Sequence, residues 1–294
     1  MKKILLTGGG GFIGRNILES FLAEKYEITS PGSKQLDLTD PQAVENFFAG
    51  KKFDAVIHAA GKPGHRNAAD PTGIFYADMV MFLNLLRQRE SLGKIIVLGS
   101  GAVYDQARPI VKAKEGDYIL RVPADEHALY RRVSAELLEH MKEAVELRLF
   151  GVFGKYEDYA IRFISNAICK AMFDLPITIK QNRSFDYLYI DDLMPILDYF
   201  IQRGSIQGAY NITPDKPIEL AALAEKVKTI SGKELPIKIA MPGLGNEYSG
   251  DNGKFKREFT DFKFTPLDDS LTRLYSWYEQ HKSEIDRQAL LTDK

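Results

Sequence analysis

The sequence predicts an α/β protein: a doubly wound parallel sheet followed by a smaller C-terminal α/β unit. Three observations predict it. The apolar stretch Lys3-Ile4-Leu5-Leu6-Thr7 runs directly into Gly8-Gly9-Gly10-Gly11-Phe12-Ile13-Gly14, a strand feeding a glycine-rich turn and then a helix. Strand and helix periodicities then alternate strictly as far as Gly99, the pattern of a parallel sheet with helices on both faces. Beyond Gly151 the spacing loosens, with more loop, proline and aromatic residues. The expected boundary therefore falls at 153/154, with residues 154–294 mainly a second unit and some segments returning to the sheet.

The turn carries the first chemistry. Glycines at 8, 11 and 14 let the backbone bend sharply after the strand, approach a phosphate closely, and pack the next helix hard against the sheet. That helix opens at about Phe12, so the free N–H groups around Phe12 and Ile13 and the positive dipole end face an anion. Strand, turn and helix in this order read as a dinucleotide site.

Ile13, Ile17, Leu18, Phe21 and Leu22 recur at helical spacing, predicting an amphipathic helix as far as about Lys25. Tyr26 to Thr29 reads as the second strand. The loop after it, Ser30-Pro31-Gly32-Ser33-Lys34, lacks the acidic side chain that would bind adenosine ribose hydroxyls. Ser30, Ser33 and Lys34 could instead receive a 2′-phosphate, so NADP is expected in preference to NAD; a solvated polar turn is the alternative. Asp37-Leu38-Thr39-Asp40-Pro41 predicts a helix start, with Thr39 or Asp40 as cap and Pro41 in the first turn. Phe53 to His58 is the third strand, and the small residues Ala59, Ala60 and Gly61 would let a cofactor lie across its end. His58 reads as a packed strand-end histidine.

A long helix follows around Met79 to Leu86, ending near Gly93, and Lys94 to Gly99 is an almost continuous apolar strand suited to a buried parallel position. At its carboxyl end stand Ser100 and Tyr104, where doubly wound folds put their chemistry. Asp105 to Glu126 reads as mostly loop, Tyr130 to Lys142 as helix and Val145 to Phe150 as strand. Arg183 to Asp192 alternates like a strand and then caps a helix near Asp192. A last helix is expected around Leu271 to Tyr278.

Composition bounds the partners. The 294 residues are 45% apolar and 27% charged, with 39 Lys+Arg against 40 Asp+Glu, so no basic field recommends nucleic acid or a membrane surface. The cluster Lys254-Phe255-Lys256-Arg257 reads as solvated surface. One cysteine, Cys169, excludes an intramolecular disulfide and fits a reducing cytoplasm; no Cys/His cluster suggests a metal. No apolar run approaches the ~20 residues needed to span a bilayer, and the N-terminus reads as a strand rather than a signal peptide.

Taken together, the residues resemble the extended short-chain dehydrogenase/reductases over nearly the whole chain. The motifs appear in family order: Thr7-Gly8-x-x-Gly11-x-x-Gly14, Asp37-Leu38-Thr39-Asp40, His58-Ala59-Ala60, Ser100-Gly101-Ala102-Val103-Tyr104, Arg183-x-Phe185 and Tyr210-Asn211-Ile212. The resemblance implies a Rossmann fold holding NADP or NAD and a nucleotide-sugar substrate. In its mechanism a serine polarises the sugar carbonyl, a tyrosine exchanges the proton, and a lysine lowers the tyrosine pKa and holds the nicotinamide ribose. Ser100 matches the serine and Tyr130 the tyrosine, while Asp37 and Leu38 are expected among the cofactor contacts. Arg183 matches an arginine on the sugar-nucleotide phosphates, with Tyr104 and Tyr156 also expected to face substrate. The helices Tyr76 to Arg89 and Tyr130 to Lys142 resemble those of the family's homodimer interface.

The lysine does not match. One turn after Tyr130 the position is Ser134, and Arg131 and Arg132 are expected to point elsewhere around the helix. Where a family branch that couples epimerisation to reduction carries a cysteine and a histidine, this chain has Ala102 and Tyr156. Two readings follow: an NAD(P)-dependent oxidoreductase or epimerase of a nucleotide-linked sugar, or a nucleotide-binding scaffold or regulator that has lost catalysis.

Overall fold

A computed structural model describes residues 1–64 and 68–291. In chain order the first half contains β1 (Lys3–Thr7), α1 (Phe12–Leu18), α2 (Phe21–Lys25), β2 (Glu27–Thr29), α3 (Pro41–Phe48), β3 (Phe53–His58), α4 (Ile74–Arg87), β4 (Leu92–Ser100), β5 (Ile110–Ala113), α5 (Glu126–Glu139), β6 (Ala144–Leu149) and β7 (Gly151–Phe153). The second half contains α6 (Phe163–Met172), β8 (Ile177–Asn182), β9 (Ser184–Phe185), β10 (Tyr187–Tyr189), α7 (Ile190–Gln202), β11 (Gln207–Ile212), β12 (Ile218–Glu219), α8 (Leu220–Ser231), β13 (Ile237–Leu244), β14 (Tyr248–Gly250), α9 (Gly253–Glu258) and α10 (Leu267–Gln280).

Six parallel strands make the main sheet, in the order β11-β6-β4-β3-β1-β2. Strand pleating explains why both faces are covered. Ile4 and Leu6 of β1, Ala55 and Ile57 of β3, and Ile96 and Leu98 of β4 face one core with α1, α2, α6, α7, α8 and α10. Leu5, Val56, Ile95 and Val97 face the other, with α3, α4 and α5. The chain leaves β1 for β2 on one side and returns to β3 on the other. The order therefore reverses between β1 and β3, and the glycine turn lies at that reversal, where open α/β sheets form a ligand crevice.

Several elements differ from expectation for local reasons. The first helix is broken at Glu19–Ser20, where Ser20 turns to cap α2 by accepting from the Leu22 amide at 3.2 Å. Asp40 caps α3 through the Gln42 amide at 2.9 Å, with Pro41 at the first position. The stretch 105–126 holds β5 and a 3₁₀ segment at Glu115–Leu120 besides loop. Helix α7 begins at Ile190 with Tyr189 as N-cap residue, so Asp192 is no cap; its carboxylate accepts instead from the Thr265 amide and hydroxyl. The basic cluster is α9: Phe255 is in the core, Lys254 Nζ donates to the Ala209 carbonyl at 2.7 Å, and only Lys256 and Arg257 stay outside.

The later segments are divided. β11 and α7 join the main sheet and its helical layer, whereas β8 pairs with β13, and β12, β9, β14 and β5 form a small sheet over the crevice side of β4. No helix among the described residues is long and apolar enough to cross a membrane.

Candidate active site

The glycine turn is shaped by backbone contact. Gly8 has φ +77°, and a Cβ there would lie 2.7 Å from the backbone of Ala59 and Ala60; one on Gly9 would strike Ser30 Oγ at 1.9 Å. A Cβ on Gly14 would lie 2.2 Å from the Gly8 carbonyl oxygen. Gly10 alone of these faces open space, so its backbone is free to approach a ligand. Gly11 donates to Gly8 O at 3.1 Å and leads into α1, whose start carries no side-chain cap. The amides around Phe12 and Ile13 are therefore available to an anion.

Around this turn sit the other expected cofactor contacts. Ala59 and Ala60 follow β3 against Gly8, and Gly61 lies beside Asp78. Ser33 and Lys34 are exposed on the turn after β2, and Ser30 lies against Gly9. Leu38 is buried, its carbonyl accepting from Asn84 at 2.9 Å. Asp37 is exposed but folded back on the Thr39 amide and hydroxyl at 2.8 and 2.7 Å, which lower its pKa.

Ser100 ends β4. Its Oγ accepts from the Ala102 amide at 3.1 Å and hydrogen-bonds with the phenol of Tyr248 of β14. A Cβ on Gly101 would touch the Tyr248 hydroxyl at 2.7 Å, so that glycine is what admits the phenol. Tyr130, on the second turn of α5, is 1% exposed, its ring edge-on to Phe82 at 6.4 Å. Burial, reinforced by Asp78 and Glu146 and opposed by Arg131, raises its pKa to about 12.

Arg131 overturns an expectation. Its guanidinium comes inward, 5.0 Å from the Tyr130 ring centroid, and Nη1 donates to the Leu98 carbonyl of β4 at 2.8 Å. A long side chain can reach round the helix from the neighbouring position, and Ser134, buried with Oγ bonded to the Arg131 carbonyl at 3.2 Å, brings no competing bulk. Asp78 also escaped the sequence reading. Buried on α4, it accepts from the Lys62 amide at 2.7 Å and so ties down the loop after β3. The missed signal in each case is burial of a charge that the helix pattern leaves ambiguous.

His58 is packed at the end of β3, with Nδ1 2.8 Å from Thr7 Oγ1. Burial first, and then the charge of Arg131, lower its pKa to about 3. The folded form thus binds fewer protons than the unfolded one: its contribution to stability is complete above the unfolded pKa of 6.5 and is lost as pH falls from there toward 3. His58→Gln should therefore flatten the acid limb of the stability curve by up to about 1.4 kcal/mol per pH unit in that window. Urea unfolding midpoints between pH 4 and 8 test this; equal slopes for the two proteins would refute it.

Three expected substrate residues are placed differently. Arg183 is half-exposed at the β8–β9 junction, held by Nε to the Asn246 carbonyl at 2.9 Å and lying over Phe185. The Tyr104 hydroxyl is committed inside the protein, donating to Asn211 Oδ1 at 2.7 Å and accepting from Arg148 at 3.0 Å, so it is a framework group. Tyr156 stacks under Arg15, meets Trp277 edge-on and donates to Glu19 at 2.9 Å, at α1 and α10 rather than beside Ser100.

The crevice fits a nicotinamide dinucleotide. Of the eight buried side-chain polar atoms without a partner among the described residues, three bear on this crevice: His58 Nε2, Tyr130 OH and Arg131 Nε. All three belong to residues gathered at the β3 and β4 ends, beside the glycine turn, where a polar ribose would supply what they lack. Among the described residues no group of acidic, His and Cys side chains could hold a metal.

Fold and site together define a dinucleotide-dependent enzyme of the doubly wound class. The chain belongs to the NAD dependent epimerase/dehydratase family, whose model matches residues 4–213, and NAD(P) is its cofactor. It is similar to a GDP-L-colitose synthase of Yersinia pseudotuberculosis, 29% identical over 223 residues, 68% of this chain and 72% of that one. A GDP-L-fucose synthase of Azorhizobium caulinodans is 32% identical over 174 residues, 53% and 54% of the two chains. Among solved structures, a GDP-L-fucose synthetase of Naegleria fowleri bound to NADP superposes with TM-score 0.81 at 17% identity, covering 96% of this chain and 94% of that one. A Thermotoga maritima UDP-glucose 4-epimerase with UDP-glucose gives 0.80 at 18%, covering 95% and 99%. The alternative of a scaffold that has lost catalysis finds no support among these relatives, which are named as enzymes.

Proposed function

We propose that the protein interconverts a ketone and an alcohol on a nucleotide-linked sugar, with NADP preferred to NAD. The observation that supports this reading is placement: Ser100 ends β4, two strands from β1 and its glycine turn, and the turn after Ser100 packs against α5, which carries Tyr130. When bound, the dinucleotide supplies or accepts the hydride. Ser100 Oγ would donate a hydrogen bond to the sugar oxygen and hold it in place. Tyr130 would give that oxygen a proton in reduction and take it back in oxidation. Arg183, at the open rim, would carry the nucleotide phosphates through its guanidinium fork.

Ala102 is 5% exposed and has no group that exchanges a proton, and Tyr156 is engaged at α1. A bare reduction or oxidation is therefore favoured over one coupled to epimerisation beside the ketone. Two relatives are named for GDP sugars, which makes that class the first to test. Surface-polysaccharide or deoxysugar synthesis would be the setting, in the cytoplasm. α4 and α5 pack together and leave Tyr76 (74% exposed), Leu83 and Leu137 outward, which supports a homodimer through these helices.

The test is titration of purified protein with NADPH and NADH by nicotinamide fluorescence, alone and with GDP-, UDP-, dTDP- and CDP-sugars, followed by turnover of the sugar that binds. NADPH binding tighter than NADH and turnover with one nucleotide class are expected; binding of neither dinucleotide removes the reading. Ser100→Ala should then lower kcat by about 100-fold, with KM changed far less, because the bond it loses is strongest on the developing oxyanion. Unchanged kcat would exclude Ser100 from the chemistry.

A further inference from the structure

The polar groups around Tyr130 do not balance among themselves. Its hydroxyl is buried without a partner, and both carboxylates that act on it, Asp78 from α4 and Glu146 from β6, oppose ionisation as burial does. A phenol held about five units above neutral pH is a poor acid and a poorer base. One charge works the other way. Arg131 lies 5.0 Å from the ring centroid and is anchored to the Leu98 carbonyl, two residues before Ser100. Its Nε is buried without a partner, and among the described residues it makes no ion pair. Its charge acts on titratable groups of several elements: His58 of β3, Asp78 of α4, His127 and Tyr130 of α5, and Tyr248 of β14. It is thus a cation at the centre of the site, not a surface charge turned inward to meet one acid.

We propose that Arg131 is the cation that makes the Tyr130 hydroxyl acidic enough to exchange a proton with the sugar oxygen. It is a positioning residue, fixed by its bond to Leu98 and by the room that Ser134 leaves on the next turn. The inference rests on the ketone/alcohol reading above. Its chemistry is electrostatic: a positive charge stabilises the phenolate that remains when the proton is given to the substrate oxygen, and the same charge eases removal of the phenol proton in the reverse direction. No bond of Arg131 is made or broken.

The experiment is the pH profile of NADP⁺-dependent oxidation of the alcohol sugars of the same nucleotide panel, where Tyr130 must act as base. In wild type the rate should rise with pH until Tyr130 is ionised. Arg131→Gln keeps a donor for Leu98 and removes the charge. Its rise should move up by at least one pH unit, lowering the rate at pH 7.5 by about tenfold per unit, with KM changed by less than about threefold. Arg131→Lys should hold the rise at the wild-type pH, and Ser134→Lys added to Arg131→Gln should bring it back down. If Arg131→Gln does not fold, Arg131→Lys carries the test, and displacement of its rise by a unit or more overturns the proposal. A rate that falls equally at every pH, or does not fall, also overturns it and leaves the reaction reading standing. Wild type that oxidises no sugar of the panel removes the reaction reading, and this inference with it.

Discussion

Replacing Gly14 by alanine is expected to abolish dinucleotide binding and to destabilise the fold by about 2–3 kcal/mol, as overpacking against an unyielding neighbour does. The new Cβ would sit 2.2 Å from the Gly8 carbonyl oxygen and 2.6 Å from Gly9 Cα, and both obstacles are backbone. No rotamer change relieves such a clash. The turn must move off the start of α1, and it cannot move toward β3, because Gly8 already touches Ala59 and Ala60. The bond from Gly11 to the Gly8 carbonyl is lost with it. Gly10→Ala is the control, since its side chain would meet nothing within 4 Å and the melting temperature should not change. Nicotinamide fluorescence and thermal unfolding read the two effects. Wild-type NADPH affinity in Gly14→Ala would mean that the turn does not hold the pyrophosphate.

The second large effect is expected at Arg148, 1% exposed and bonded through Nε to Glu146 at 2.7 Å. Its Nη1 serves both the Tyr104 hydroxyl at 3.0 Å and the Glu115 carbonyl at 2.6 Å. Burial disfavours its charge, but Glu146 and Tyr104 hold it protonated. Arg148→Met strands a buried carboxylate, which costs about 3–5 kcal/mol, whereas the paired change Glu146→Gln with Arg148→Met should cost far less. The loss should reach the site as well as the fold. Glu146 lies over Gly99, where a Cβ would strike Oε1 at 2.4 Å, one residue before Ser100. Urea unfolding of the single and double variants measures the asymmetry, and equal losses would show that Arg148 contributes packing rather than charge.

Much of the frame was legible because it is local. Phe53–His58 was readable to the residue, since consecutive apolar side chains such as Ala55, Val56 and Ile57 suit a parallel strand buried on both faces, and Asp40-Pro41 announced the start of α3 by capping chemistry alone. The glycine turn was legible for the same reason: its spacing encodes a backbone shape. The break at Ser20 and the short strands β5 and β14 were not, because three or four residues carry no usable period and form only when a partner strand is present.

The site divides along the same line. Ser100 could be singled out from its place at the end of β4 and His58 from its place at a strand end, whereas Tyr130 was named through the family resemblance. Tyr104 could not be told from a substrate group, because only the pairing of β6 with β4 and β11 brings Arg148 and Asn211 to its hydroxyl. Tyr156 was misjudged because α1 and α10, distant in sequence, claim its ring and hydroxyl.

By itself, then, the sequence determined the alternation of the main strands and helices, the glycine turn after β1 and the residue types available for proton exchange. The tertiary structure alone decided which charges enter the site. A helical wheel assigns Arg131 a direction, but a long flexible side chain follows the nearest buried carbonyl and the nearest open volume, and both are set by the packing of α5 on β4.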